Sequence, residues 1–270
     1  MAFIQCSFES RVLDIAAGMN VVLPQRDGHA DGRPFPSLFL LHGLSEDHTI
    51  WSRRTSIERY AEDRGIAVVM PAGGRGWYVD NADGPAWGTF VADEVPAAAR
   101  AFFPLSHRRE DTFIAGLSMG GYGAFRIALS HPDRFAAAGS FSGALDMAGR
   151  PANSDPDWRA EFSRVFGDLE ALPGSTNDLF ELVRRLDPVD RRRLRLYQCC
   201  GTEDFLHDAN VLFRDHARSL GLDLTYEEGP GSHEWGYWDV AVQRFLDWLG
   251  LPGPQPDGQP EEDPDSASQS

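Results

Sequence analysis

Cysteine is scarce, with only Cys6, Cys199 and Cys200 among 270 residues. An odd count with two adjacent members supplies no disulfide framework, because neighbouring cysteines bridge only with strain. The chain also lacks any run of 18 apolar residues, which excludes a membrane-spanning helix. Its start, Met1-Ala2-Phe3-Ile4-Gln5-Cys6, has neither the basic leader nor the apolar core of a secretion signal. A reducing, cytoplasmic setting without membrane attachment is the expectation. Basic residues are few, 25 Lys and Arg against 41 Asp and Glu, for a formal charge of -16. Such a surface repels phosphate backbones, so nucleic acid is not an expected partner.

Apolar material is plentiful: 42% hydrophobic and 11% aromatic residues suffice for a sizeable core. From about residue 37 to 250, short runs of Val, Ile, Leu and Phe alternate with amphipathic stretches, the pattern of βαβ units around a mostly parallel sheet. Buried strands are predicted at Ser37–Leu41, Ile66–Met70, Thr112–Leu117, Ala136–Phe141, Leu194–Cys200 and Leu222–Tyr226, with Phe3–Phe8 and Met19–Leu23 as an antiparallel start. Helices are predicted at Ile50–Arg64, Ala92–Phe103, Gly121–Ser130, Ala209–Leu220 and Asp239–Leu249. The organisation read from this is one domain over 1–251, a cap insertion at about 147–188 punctuated by Pro151, Pro156, Pro173 and Gly174, and a tail over 252–270. The tail is rich in Pro, Gly and acids, with Asp257, Glu261, Glu262, Asp263 and Asp265, and such composition is expected to stay disordered.

The chemistry centres on Gly116-Leu117-Ser118-Met119-Gly120. With 27 glycines present, the pattern alone carries little weight; its context carries more. Thr112-Phe113-Ile114-Ala115 before it reads as a strand and Gly121-Tyr122-Gly123-Ala124 after it as a helix start, the strand–turn–helix setting of a nucleophile elbow. A serine nucleophile needs a base, itself held by an acid, in the chain order Ser, Asp or Glu, His. His233, in the breaker-rich Gly229-Pro230-Gly231-Ser232-His233, follows the last predicted strand; His216 falls in a helix and His207 in the loop expected to carry the acid. In that loop Asp204 is the first choice for the acid, with Glu203 and Asp208 as alternatives and Asp208 suited to capping the helix at Ala209. The oxyanion would take the Met119 amide and that of Leu44, after the turn in Leu41-His42-Gly43. Trp77, Tyr78 and Trp87, and Trp235, Tyr237 and Trp238 around His233, are candidates for a substrate pocket, with Trp77, Tyr78, Trp87 and Trp235 preferred and simple packing as the alternative.

These residues have a familiar look. His42-Gly43-Leu44, Gly73 through Trp77-Tyr78, Phe113 through Ala124, and Ser140-Phe141-Ser142-Gly143-Ala144-Leu145 resemble the putative-esterase branch of the α/β-hydrolases over roughly residues 35 to 250. Within it the chain is most similar to tributyrin esterases, with S-formylglutathione hydrolases and mycolyltransferases as relatives. The resemblance implies an α/β-hydrolase fold, a small-molecule acyl ester as substrate, and Ser118, Asp204 and His233 as nucleophile, acid and base, with no metal or organic cofactor. Ser45-Glu46-Asp47 stands where S-formylglutathione hydrolases usually carry threonine and cysteine, which counts against their thioester. Two other readings stay open: an acyltransferase using the same acyl-enzyme, and a catalytically inactive fold used for binding. Assembly as a homo-oligomer is left open too.

Overall fold

The computed structural model describes residues 1–25, 33–150 and 155–251. The predicted tail at 252–270 lies outside the described residues, as do 151–154 of the predicted insertion. Eight strands form one sheet: β1 (Ala2–Ser10), β2 (Ile15–Leu23), β3 (Ser37–Leu41), β4 (Ala67–Pro71), β5 (Thr112–Leu117), β6 (Ala137–Phe141), β7 (Arg195–Gly201) and β8 (Leu224–Gly229). Their order is β1-β2-β4-β3-β5-β6-β7-β8. β1 and β2 are antiparallel to each other and β2 is antiparallel to β4, whereas every pairing from β4 to β8 is parallel. The chain steps from β3 to β4 on one side and then crosses to β5 on the other, so β3 and β5 flank the point where strand order reverses. In open α/β sheets, ligands bind in the crevice beyond the carboxyl ends of the strands at such a point.

Alternation along the strands explains the two cores. Phe39 and Leu41 face one side with Val69 and Ile114, while Leu38 and Leu40 face the other with Val68, Phe113 and Leu117. On the second side lie α1 (Ile50–Arg54), α2 (Ile57–Glu62) and α10 (Trp235–Leu249), burying Trp51, Tyr60 and Phe245. On the first lie α4 (Val95–Phe102), entered through α3 (Trp87–Thr89) and one π-helical turn at Phe90–Glu94, then α5 (Met119–Ser130) and α9 (His207–Ser219).

The segment between β6 and β7 holds α6 (Pro156–Phe166), α7 (Leu179–Arg185) and α8 (Pro188–Arg193). Each starts on an aspartate, Asp155, Asp178 or Asp187, whose side chain accepts first-turn amides, and Pro156 and Pro188 stand at helix starts where a missing N–H costs nothing. α6 is pinned to the loop after β4 by Ala82 N donating to Val165 O and Asp83 N to Arg164 O. No helix among the described residues is long and apolar enough to cross a membrane.

Candidate active site

β5 delivers Ser118 to the crevice. Its backbone sits at φ 53°, ψ -114°, a positive φ that costs a non-glycine residue roughly 1–3 kcal/mol. Three backbone bonds hold it there: Ser118 N donates to Phe141 O, and Ser118 O accepts from Tyr122 N and Ala144 N. The flanking glycines answer to space. A Cβ on Gly116 would lie 2.5 Å from the Gly120 carbonyl carbon, and one on Gly120 would lie 2.6 Å from Leu41 O and 2.7 Å from His42 O. The tight elbow therefore also brings α5 against the end of β3. Ser118 precedes the first turn of α5, where unpaired amides and the helix dipole favour negative charge.

Residues 118, 204 and 233, far apart in sequence, converge on one chain of hydrogen bonds. His233 Nε2 lies 3.0 Å from Ser118 Oγ, and His233 Nδ1 lies 2.9 Å from Asp204 Oδ2. The imidazole is wedged between Phe205, centroid 4.6 Å away, and the edge-on indole of Trp238 at 4.8 Å. From Trp238 the ring contacts continue through Trp235 at 5.3 Å to Trp51 at 5.1 Å. Asp204 is buried, which by itself disfavours its charge. The His233 imidazole and the Leu206 amide, 2.8 Å from Oδ1, outweigh that and hold the carboxyl below the usual aspartate range.

The other candidates go elsewhere. Glu203 accepts the Gly231 amide, bracing the His233 loop from outside. Asp208 does not cap a helix at Ala209: α9 begins at His207, and Asp208 is exposed in its first turn. The amide two residues past Asp204 bonds to that carboxylate, which starts the helix early. His207 pairs with Glu228 at 3.1 Å, and His216 bonds Phe180 O at 2.9 Å.

The turn after β3 is held by four hydrogen bonds at His42 and Gly43. His42 Nε2 accepts from Gly73 N at 2.9 Å, which leaves Nδ1 as the donor to Gly43 O at 2.7 Å. Tyr78 Oη donates to His42 O at 2.9 Å, and Gly43 N donates to Glu46 Oε2 at 2.9 Å. His42 is 1% exposed, and burial lowers its pKa to about 4, so it is a neutral fixture near pH 7. Gly43 and Leu44 thereby face the same cavity as Ser118.

That cavity, about 240 Å³, is walled by Trp77, Trp158, Phe205 and Trp238, with Glu46 and Arg150 as its charged groups. Of the aromatic candidates, Trp77 and Trp238 reach it. Tyr78 is buried against His42, Trp87 packs over Gly74 and Gly76, and Trp235 donates its indole N–H to Glu46 Oε1. Trp158, on α6, and Phe205, beside Asp204, were not predicted; an aromatic next to a candidate acid was the one available signal for Phe205. Glu46 entered the sequence reading only within Ser45-Glu46-Asp47, as a departure from the S-formylglutathione hydrolases. Cys6, Cys199 and Cys200 are free thiols, and burial pushes Cys200 up to about 12 and Cys199 higher still, far from a reactive thiolate.

Comparison with known proteins identifies the family. The sequence pattern of the family described as Putative esterase matches residues 10–249. An acetyl esterase from Caldicellulosiruptor saccharolyticus is 32% identical over 264 residues, covering 92% of this chain and 98% of that protein. Two Staphylococcus aureus structures are each 33% identical and cover 92% of this chain and 98% of theirs: fluorophosphonate-binding serine hydrolase F, FphF, with TM-score 0.84, and the S-formylglutathione hydrolase FrmB, with TM-score 0.81. The chain belongs to the Putative esterase family of serine hydrolases, on an α/β-hydrolase fold.

Proposed function

We propose that the protein hydrolyses short-chain acyl esters through an acyl-enzyme on Ser118. The observation that carries this is the continuous hydrogen-bonded chain Ser118 Oγ–His233–Asp204 at the sheet's reversal point. Oγ attacks the ester carbonyl as His233 takes its proton, Asp204 keeps the imidazole in the tautomer with Nδ1–H and supports the imidazolium, and the Met119 and Leu44 amides receive the oxyanion. His233 returns the proton to the leaving alcohol, and water then repeats the attack on the acyl-enzyme. The small aromatic-walled cavity and the acetyl esterase relative support a short acyl group. The segment around α6 acts as the cap that sets its length, through Trp158.

Ser118→Ala is expected to lower kcat by on the order of 10⁴- to 10⁶-fold with an unchanged circular dichroism spectrum. Persistent esterase activity in that variant would refute the nucleophile assignment. A p-nitrophenyl ester series from acetate to decanoate, run beside S-formylglutathione, tests the substrate. A maximum at long chains, or a strong preference for the thioester, would replace the short-chain ester reading.

A further inference from the structure

The proposed reaction needs two loops in fixed register, one after β3 carrying Leu44 and one after β8 presenting His233. Three strands, β5, β6 and β7, lie between β3 and β8. One side chain touches both sides. Glu46 takes the Gly43 amide on Oε2 at 2.9 Å and the Trp235 indole N–H on Oε1 at 3.1 Å. Trp235 opens α10 two residues after His233, and its ring packs edge-on against Trp238, which in turn abuts the His233 imidazole. Glu46 also lines the cavity with Ser118.

We infer that Glu46 is a positioning residue whose carboxylate bridges the oxyanion loop and the histidine loop, so that turnover depends on both of its oxygens being occupied. This rests on the hydrolase reading above. A carboxylate is the group suited to the task, because each oxygen accepts one N–H; glutamine has one acceptor and would turn an N–H toward an N–H. Misplacing a donor in an oxyanion site by about 1 Å costs on the order of 10²-fold.

The bridge is also sensitive to acid. Glu46 is partly buried, and that burial raises its pKa against the opposing pull of the Gly43 amide, the Trp235 indole, His233 and Arg54, the groups that face it. Protonation removes one acceptor, so the bridge opens as pH falls, and earlier than it would for an ordinary carboxylate. Protonation of Glu46 therefore adds its own loss of kcat/KM on the acid side and steepens the acid limb.

The test is the hydrolysis of p-nitrophenyl acetate from pH 4 to 9 by wild type, Glu46→Gln, Trp235→Phe and the double variant. Expected for Glu46→Gln are a kcat lower by roughly 10- to 100-fold, a KM within about threefold, and an acid limb shallower than that of wild type. Trp235→Phe keeps a ring beside Trp51 and Trp238 and should lower kcat alone, yet add little to Glu46→Gln, since both break one bridge. Wild-type kcat in Glu46→Gln, an unchanged acid limb in that variant, or losses that simply multiply would overturn the inference. If Glu46→Gln does not fold, Trp235→Phe decides alone. Ser118→Ala separates the two levels: if inactive while Glu46→Gln is wild type, only the bridge fails; if active, the hydrolase reading falls and the bridge with it.

Discussion

His42 uses both ring nitrogens inside the molecule, and this has a cost in acid. Its pKa in the folded protein, about 4, lies below the ordinary 6.5, so between these values the unfolded chain binds the extra proton and the folded chain does not. Stability from this group is therefore complete above pH 6.5 and is lost as pH falls toward 4, by about 1.4 kcal/mol per pH unit. Urea titrations of wild type and His42→Gln across that range should show the slope in wild type and its loss in the variant. For Asp204 the expected effect is on rate. Asp204→Asn keeps the shape but disfavours the Nδ1–H tautomer, and kcat should drop by on the order of 10⁴-fold, measured with p-nitrophenyl acetate. Ser118, Asp204 and His233 could be placed together from sequence because chain order and breaker-rich loops narrow the choices. Trp158, Phe205 and Glu46 could not, because pocket walls and bridging side chains are set by how distant loops fold back, which no local spacing encodes.

At the scale of elements, strands were the most legible because a strand buried on both faces is a plain apolar run; β3 and β5 fall at their predicted bounds. The helix predicted over Ile50–Arg64 is instead two, α1 and α2. Thr55 breaks it: its backbone is extended at φ -134°, ψ 170°, while its hydroxyl donates to Trp51 O at 2.6 Å and accepts from Ile57 N at 3.2 Å. Periodicity ran through the break because Trp51 and Tyr60 both face the same core. The helix predicted from Ala92 begins earlier, at Trp87, through the π-helical turn, whose extra residue defeats a 3.6-residue period. α6 carries its own prediction. Its Asp155 cap takes the Trp158 amide at 3.1 Å, which sets the ring against the cavity and against Phe162. Trp158→Ala should open the acyl end and move the best substrate in the p-nitrophenyl series to longer chains, with little change in melting temperature.

At the scale of the molecule, the two cores on opposite faces of one sheet place the site at an edge common to both, so Ser118 is braced by α5 and β6 while His233 leans on the aromatic side of α10. All 25 basic residues are arginine; the chain has no lysine. Activated esters that usually acylate lysine side chains at random find none here, and mass spectrometry after brief exposure to p-nitrophenyl acetate should find the acetyl group on Ser118, the proposed nucleophile. The contact series Trp51–Trp235–Trp238–His233 has an optical meaning as well. Adjacent indoles pass excitation along, and an imidazolium quenches indole emission better than a neutral imidazole does. Intrinsic fluorescence therefore reports protonation of the proposed base in the resting molecule, without substrate, and Trp238→Phe isolates that signal from the other tryptophans.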